Sequence, residues 1–222
     1  AHLTVDPDTV RVVHLAADRV YTPEPARDDE RIRSQWQLPQ PYILYLGGCD
    51  VRKNVKTAMH AFAKVSTAVT SATFVVAGKL PNTDNPTFAD PRQQAVRAGI
   101  PKDRVKFLGY VEEATKPALY RGARVFLYPS TYEGFGLPPL EALSCGVPVV
   151  GSDCASLPEV VGRGGILLSP NDVDGIAGAL IQLLIDDTMV GTLKQHAREQ
   201  AAHFSWETTA QKTWDVYRAT LA

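Results

Sequence analysis

Two glutamates, Glu133 and Glu141, stand on either side of a short segment rich in glycine and proline. Gly134 and Gly136 supply the backbone freedom that a tight turn needs. The run 137–139, Leu-Pro-Pro, then predicts a helix start, because proline is tolerated in the first helical turn, where its missing amide hydrogen would have no partner. A glycine turn that leads into a helix presents free amides at the positive helix end, so the segment predicts a site for a phosphorylated ligand.

The elements that must position this segment are predicted to be a parallel sheet with helices on both faces. Short aliphatic or β-branched runs alternate with longer amphipathic stretches, which is the pattern of an α/β Rossmann-like domain. Six runs are predicted as strands: 42–46, 72–77, 105–108, 125–128, 147–150 and 166–168. The fourth run ends just before Glu133, so the anion site should lie at the carboxyl end of the sheet, where ligands of such folds bind.

Local signals indicate where several helices begin. Asn54 is expected to cap the helix after the first strand. Ser156 and Glu159 have the spacing of a capping box. Asp172 and Ser205 are predicted to begin two of the three helices that follow the last strand.

Composition limits the classes of protein and partner. The 222 residues are 45% hydrophobic and carry a formal net charge of -1 without a basic run, which predicts one substantial core and no nucleic-acid surface. Cys49, Cys145 and Cys154 lack Cys-x-x-Cys spacing and are typical of a reducing cytoplasm. The first residues lack the features of a signal peptide, and we read the initial alanine as a sign of sequence missing upstream.

The acidic and histidine residues do not predict a metal site. Asp-x-Asp occurs at 6–8 and 172–174, and neither instance follows an apolar strand in the predicted crevice, so both are interpreted as turn or helix-cap residues. The five histidines show no spacing typical of metal ligands. We therefore expect neither a metal nor a cofactor.

The motifs, taken in order, resemble those of the retaining glycosyltransferases of family 4, also called glycosyl transferases group 1. Two glutamates with seven residues between them, 133–141, match that family's signature. The supporting motifs are 47–54 (Gly-Gly-Cys-Asp-Val-Arg-Lys-Asn), 107–111, 145–150, 156–162, 164–168 and 204–206. The resemblance covers residues from about 10 to 222, and it implies the carboxy-terminal half of a GT-B fold.

The resemblance also implies a division of the chain. Residues 1–25 would form a connector outside the core, residues 26–205 the nucleotide-sugar-binding domain, and residues 206–222 a helix that packs toward a missing amino-terminal domain. That helix should leave an apolar patch exposed. The residues expected in this patch are Trp206, Trp214 and Tyr217.

Roles for individual residues follow from the resemblance. Glu133 would orient the hydroxyls of the donor sugar, and Glu141 would accept hydrogen bonds from the ribose. Lys53, followed by Arg52, would neutralise the leaving pyrophosphate without a metal. The other residues assigned to ligand binding are Gly48, Gly78, Tyr110, Val111, Gly134, Phe135, Gly136 and Leu137. Many relatives carry an arginine where this chain has Gly48, so phosphate binding here should depend more on the two cations.

Other interpretations of these residues remain open. Arg52 and Lys53 could be a solvated pair next to a helix. Glu141 could be present only because a negative charge in the first helical turn stabilises the helix. A glycosidase pair needs carboxylates on opposite sides of the scissile bond and fits a phosphate-binding helix start poorly.

The predicted function is the donor-binding half of a retaining, metal-independent hexosyltransferase, inactive on its own. It would take a nucleotide diphosphate sugar, with guanosine-linked mannose first and uridine-linked sugars also considered. The acceptor, a glycan or lipid-linked molecule, would bind the missing half. We expect a cytoplasmic protein whose membrane-peripheral contacts, where present, involve that half. The alternatives are a non-catalytic nucleotide-sugar-binding module and a GT-B epimerase or phosphorylase-like enzyme.

Overall fold

A computed structural model describes residues 5–6, 9–82 and 85–221. Its centre is a six-stranded sheet in the order β3-β2-β1-β4-β5-β6, and all neighbouring strands are parallel. The strands are β1 Tyr42–Leu46, β2 Thr73–Ala77, β3 Val105–Gly109, β4 Ala123–Tyr128, β5 Val149–Ser152 and β6 Gly165–Leu168. The predicted fold class is therefore confirmed. The fifth strand begins later than predicted, because Val147 still donates its amide to Ala142 in the turn before it.

Helices cover both faces of this sheet. They are α1 Asp29–Gln35, α2 Val55–Ala68, α3 Pro91–Arg97, α4 Lys116–Gly122, α5 Leu137–Ser144, α6 Leu157–Val161, α7 Val173–Ile185, α8 Asp187–Ala201 and α9 Trp206–Leu221. Within the described residues, none of these helices alone is long and apolar enough to cross a membrane. By length and composition alone, α7 together with residues 187–221 would be, but the two segments meet at a bend of 102°.

The core has two layers, one on each side of the sheet. Phe62 of α2 packs against Phe74 of β2 on one side, with ring centroids 5.1 Å apart. On the other side, Tyr120 of α4 packs edge-to-face on Phe126 of β4. All five residues of β1 are buried, which explains why this strand is a continuous apolar run rather than an alternating one.

The predictions for the helix starts were half right. Asp172 accepts the amide of Gly175, and Ser205 accepts that of Thr208, so both cap their helices as predicted. The prediction for Asn54 was wrong: its backbone is left-handed, with φ 54°, and its side-chain amide donates to the Pro170 carbonyl.

The capping box predicted at Ser156 and Glu159 was also wrong. The Ser156 hydroxyl makes no cap hydrogen bond and instead donates to the carbonyls of Phe135 and Glu133, at 2.6 and 3.1 Å. Glu159 contacts His14, with Oε1 2.6 Å from Nε2. Both side chains instead contact residues that are distant in the sequence but close in the fold.

The first 25 residues contribute more to the core than predicted. Ala16 and Tyr21 are buried, and Tyr21 belongs to the apolar cluster on the α4 side of the sheet. Residues 10–14, which look strand-like in sequence, pair with no strand within the described chain and run beside α9. Thr209 of α9 donates to the His14 carbonyl.

The exposed patch on α9 is confirmed. Trp206, Trp214 and Tyr217 are 45%, 59% and 61% exposed, and none of the described α9 residues is buried. The amino-terminal domain against which this helix would pack remains a prediction.

Candidate functional site

The site lies where the order of the strands reverses. From β1 the chain moves outward to β2 and β3, and from β4 it moves the opposite way to β5 and β6. The loops after β1 and β4 therefore meet at the carboxyl edge of the sheet and border a crevice, the place where doubly wound sheets bind ligands. Hydrogen bonds join the two loops: the amide of Thr131 and the hydroxyl of Ser130 donate to the Arg52 carbonyl, at 2.7 and 2.9 Å.

Lys53 and Glu133 form an ion pair across this junction. Lys53 Nζ lies 2.6 Å from Glu133 Oε1, and the two side chains are only 17% and 13% exposed. The same Nζ donates to the hydroxyl of Tyr128, at 2.8 Å. An ammonium has three N–H donors, so these two contacts within the described chain leave one donor for a ligand.

Three serines hold the Glu133 loop in place. The Ser130 hydroxyl lies 2.6 Å from Glu133 Oε1, and Ser130 is itself buried. Ser152 of β5 donates to the Ser130 carbonyl, and Ser156 to the Phe135 carbonyl. Tyr128, Ser130 and Ser152 were not predicted from the sequence. Tyr128 and Ser152 contact residues in loops that are distant in the sequence, and Ser130 joins Glu133 to the Arg52 carbonyl of another loop.

The two glycines of the turn differ. Gly136, immediately before α5, has φ 113°, and a Cβ there would lie 3.0 Å from Leu157 Cδ2, so the predicted need for glycine is confirmed. The backbone of Gly134 is not left-handed, and a Cβ would meet nothing within 4 Å. In this conformation Gly134 is not required for backbone freedom, and the space beside it is open to a ligand.

Glu141, one turn into α5, occupies a separate environment. It accepts a hydrogen bond from the Tyr120 hydroxyl, at 2.9 Å. Burial raises the pKa of Glu141 to about 7, although the bond from Tyr120 and the more distant charge of Lys116 act to lower it. A cavity of about 580 Å³ lies beside it, bordered by Leu137 and Tyr21. Neither tyrosine was predicted from the sequence as part of the site.

The other predicted cation does not join the ion pair. Arg52 has a side chain that is 60% exposed and binds Asp50, with Nε 2.9 Å from Oδ1. Lys53 is thus the cation that the structure brings to Glu133. Gly48 lies in the same loop, where a Cβ would come no closer than 3.5 Å to any atom, that atom being Asp50 Oδ2.

The predicted base-side loops lie at the same edge of the sheet. Gly78 follows β2 with φ 134°, and a Cβ there would lie 1.9 Å from the Gly47 carbonyl oxygen, so only glycine fits. Tyr110 follows β3 and is 77% exposed, whereas Val111 packs in the core and can meet a ligand only through its backbone.

Phe135 and Leu137 flank the helix start in different ways. The Phe135 ring packs against His14 and Phe204, with centroids 6.1 and 5.8 Å away. Leu137 is partly exposed at the first position of α5.

Within the described residues, histidine, cysteine and carboxylate side chains form no group of three that could hold a metal. Activity without a metal stays a prediction.

The doubly wound sheet and the glycine turn before α5 define a Rossmann-like domain, and the part-buried lysine–glutamate pair lies at its crevice. The family described as glycosyl transferases group 1 matches residues 26–202, and the chain belongs to this family. The predicted membership of this family is confirmed.

Individual relatives agree with this assignment. The chain is 36% identical over 212 residues to the Escherichia coli O-antigen chain mannosyltransferase B, covering 95% of this chain and 55% of that protein. It is 32% identical over 194 residues to the Escherichia coli serotype-specific mannosyltransferase WbdA, covering 86% of this chain and 23% of that protein. A sucrose-phosphate synthase structure from Thermosynechococcus elongatus superposes with a TM-score of 0.76 at 27% identity, covering 93% of this chain and 51% of the other. This chain therefore spans about half the length, or less, of these proteins.

Proposed function

We propose that this chain binds the nucleotide diphosphate sugar of a retaining, metal-independent glycosyltransferase. The complete enzyme would transfer a hexosyl group to a glycan or lipid-linked acceptor held by another domain. The observation that carries the proposal is the Lys53–Glu133 pair, with 2.6 Å between the charged atoms, beside the start of α5. It places a cation and a carboxylate at one ligand crevice.

The chemistry of the transfer assigns different tasks to these groups. When the glycosidic bond breaks, negative charge develops on the leaving diphosphate, and preorganised donors stabilise it. Lys53, with a free N–H, and the amides of Gly136 and Leu137 at the start of α5 supply such donors, since Pro138 and Pro139 carry no N–H. Glu133 would accept hydrogen bonds from sugar hydroxyls, and Glu141, beside its own cavity, from the ribose. No cofactor is needed in this scheme.

The identity of the sugar is proposed from the relatives. Both Escherichia coli proteins are named mannosyltransferases, so mannose is the first candidate, with guanosine diphosphate as its carrier and uridine diphosphate as the alternative. The proposed location is the cytoplasm, with membrane-peripheral contacts assigned to the acceptor-binding half. A domain that binds nucleotide sugars without turnover and a GT-B epimerase are the competing functions.

Calorimetry with the chain tests donor binding. GDP, UDP and ADP are titrated beside guanosine, uridine and adenosine, with EDTA present throughout. We expect one nucleoside diphosphate to bind at least tenfold more tightly than its nucleoside, because only the diphosphate reaches Lys53 and α5. If no nucleoside diphosphate binds, the proposal fails.

The full-length enzyme distinguishes the competing functions. NMR of the anomeric proton in the product should show transfer with retention, with the rate unchanged by EDTA. Donor binding without transfer to any acceptor would support a binding module, and a changed sugar still attached to the nucleotide would support an epimerase.

A further inference from the structure

A second basic site lies at the opposite end of α5 from the donor crevice. The turn around Gly146, which follows α5, borders a concave pocket of about 180 Å³ together with residues of α1, α4 and α8. We call it the rear pocket and define it by the charged residues that line it. These are Asp29, Arg33, Arg121, Lys194 and Arg198. The eight residues of α5, about 12 Å of helix, separate it from Gly136.

Two of the four cations are already partnered. The side chain of Arg121 is only 10% exposed and donates two hydrogen bonds to the Asp29 carboxylate, of 2.6 and 2.7 Å. Arg33 lies 3.8 Å from the same carboxylate and donates to the Ala118 carbonyl. The negative charge of Glu24, which precedes α1 in sequence, also raises the pKa of Arg121. One buried carboxylate is thus shared by two arginines.

The other two cations lack such partners. The side chains of Lys194 and Arg198 make no hydrogen bond or ion pair with any part of the chain that the structure describes. They are four residues apart on α8, so they project from one face of the helix and repel each other. Burial, followed by the charges of Arg124 and Arg198, lowers the pKa of Lys194. Four cationic side chains therefore line the pocket with one carboxylate, Asp29, while Glu24 and Asp187 act on them from nearby.

A purely structural role explains only part of this cluster. Arg33 and Arg121 bind backbone carbonyls, and cations near the end of α5 interact favourably with its dipole. Neither effect requires Lys194 and Arg198 to face the same concavity. The amides of Cys145, Gly146 and Val147 donate to helix carbonyls, so a ligand here would be held by side chains alone.

We propose that the rear pocket binds a phosphate group, in a site separate from the donor crevice. A phosphate group carries its negative charge on non-bridging oxygens that accept hydrogen bonds, which suits donors that are all cationic. It is also small enough for a pocket of about 180 Å³. The group could come from a soluble phosphate or from a phospholipid headgroup, and the test separates these sources.

The test uses ¹⁵N NMR of the chain titrated with inorganic pyrophosphate, because a phosphate could also enter the donor crevice and NMR reports each place separately. We expect saturable shifts at the amides of Gly146, Val147 and Lys194. The double variant Lys194→Met/Arg198→Met keeps the aliphatic stems and should weaken binding at these amides at least tenfold. The control Lys102→Met removes an exposed charge near the start of β3 and should leave them unchanged.

Several outcomes overturn the proposal. Shifts confined to the donor loops, at Gly48 or Leu137, would show that no rear site exists. Rear-pocket shifts that persist in the double variant, or that Lys102→Met weakens equally, would show nonspecific charge effects. A matching amide spectrum without ligand confirms that the double variant is folded.

A second experiment identifies the source of the phosphate. Vesicles with and without anionic phospholipid are sedimented with the chain and with both variants. If only the double variant loses binding to the anionic vesicles, the ligand is a lipid headgroup. If pyrophosphate binds in the pocket while vesicles do not, the ligand is a soluble phosphate.

Discussion

Around Glu133 the loops after β1 and β4 bring a lysine to the carboxylate, whereas around Glu141 the nearest partner is a phenol. Lys53 Nζ lies 2.6 Å from Glu133, and the Tyr120 hydroxyl lies 2.9 Å from Glu141. Glu133 is thus held in an ion pair, whereas burial raises the pKa of Glu141 to about 7. Two acids from one short motif are thus prepared for different tasks.

The difference shows how the fold divides the proposed donor site. The region around Glu133 joins charges from the loops after two strands and suits the diphosphate and sugar, where charge would change during transfer. The region around Glu141 borders an open cavity and suits uncharged hydroxyls.

The largest effect is expected from Glu141→Gln. Burial raises the pKa of this carboxyl from 4.5 to about 7, so between these values the folded chain holds the proton more tightly than the unfolded chain. The free energy of unfolding of the wild type should therefore fall as the pH rises through this window. Glutamine cannot ionise, so the variant should be more stable at pH 8 by up to about 3 kcal/mol, and the difference should shrink toward pH 5. Urea unfolding at several pH values measures this.

Tyr120→Phe provides the control for Glu141. It removes a hydrogen bond that lowers the pKa of Glu141, so the midpoint of the pH effect should move to higher pH. Nucleoside diphosphate binding by the wild type should also strengthen as the pH rises through 7, because the carboxylate is the better acceptor. A stability difference between wild type and Glu141→Gln that is the same at every pH would contradict the description of this region.

The next effect is expected from Lys53→Met, which removes the cation of the Glu133 region. A hydrogen bond to a charged group contributes about 2 kcal/mol, so nucleoside diphosphate affinity should fall about thirtyfold while nucleoside affinity stays the same. Lys79→Met, at an exposed lysine after β2, should change either affinity less than threefold. Calorimetry measures both. Equal losses for nucleoside and diphosphate would show that Lys53 does not contact phosphate.

Sequence patterns predicted the sheet and the helix start because both depend on local signals. Apolar runs identified all six strands, and Gly136 with the following prolines marked the start of α5. The network around Glu133 was not predictable in this way. Tyr128 reads in sequence as the end of a buried strand and Ser130 as part of the turn after it. The loops after β1 and β4 must come together before these hydroxyls contact Lys53 and Glu133.

Tertiary contacts also explain the wrong predictions. The side chains of Asn54 and Ser156 would suit helix caps, but they donate instead to the carbonyls of Pro170 and Phe135. Tyr21 was assigned to a connector because its neighbours are polar and proline-rich, yet it packs edge-to-face on Tyr120 and donates to Glu113. Local propensity could not identify these distant partners.

A comparison of the two glycines between the acids separates folding from binding. Gly136→Ala places a Cβ at φ 113° and 3.0 Å from Leu157, so the free energy of unfolding should fall by about 1.5 kcal/mol. Gly134→Ala adds a methyl group in open space and should change stability by less than about 0.5 kcal/mol. If a ligand occupies that space, Gly134→Ala should still weaken nucleoside diphosphate sugar binding. Full affinity in Gly134→Ala would place the ligand elsewhere.

Among the variants that should weaken nucleoside diphosphate binding, a smaller effect is expected from Tyr128→Phe, which keeps the buried ring and removes the hydroxyl that accepts from Lys53. The loss of one hydrogen bond costs about 1 kcal/mol. Because Lys53 then keeps only Glu133 as a side-chain acceptor in the described chain, its position should be less fixed, and nucleoside diphosphate affinity should fall about fivefold. In the double variant Lys53→Met/Tyr128→Phe, loss of the hydroxyl should have almost no further effect, since the group that it positions is gone. Additive losses of affinity would mean that Tyr128 acts on the ligand independently of Lys53.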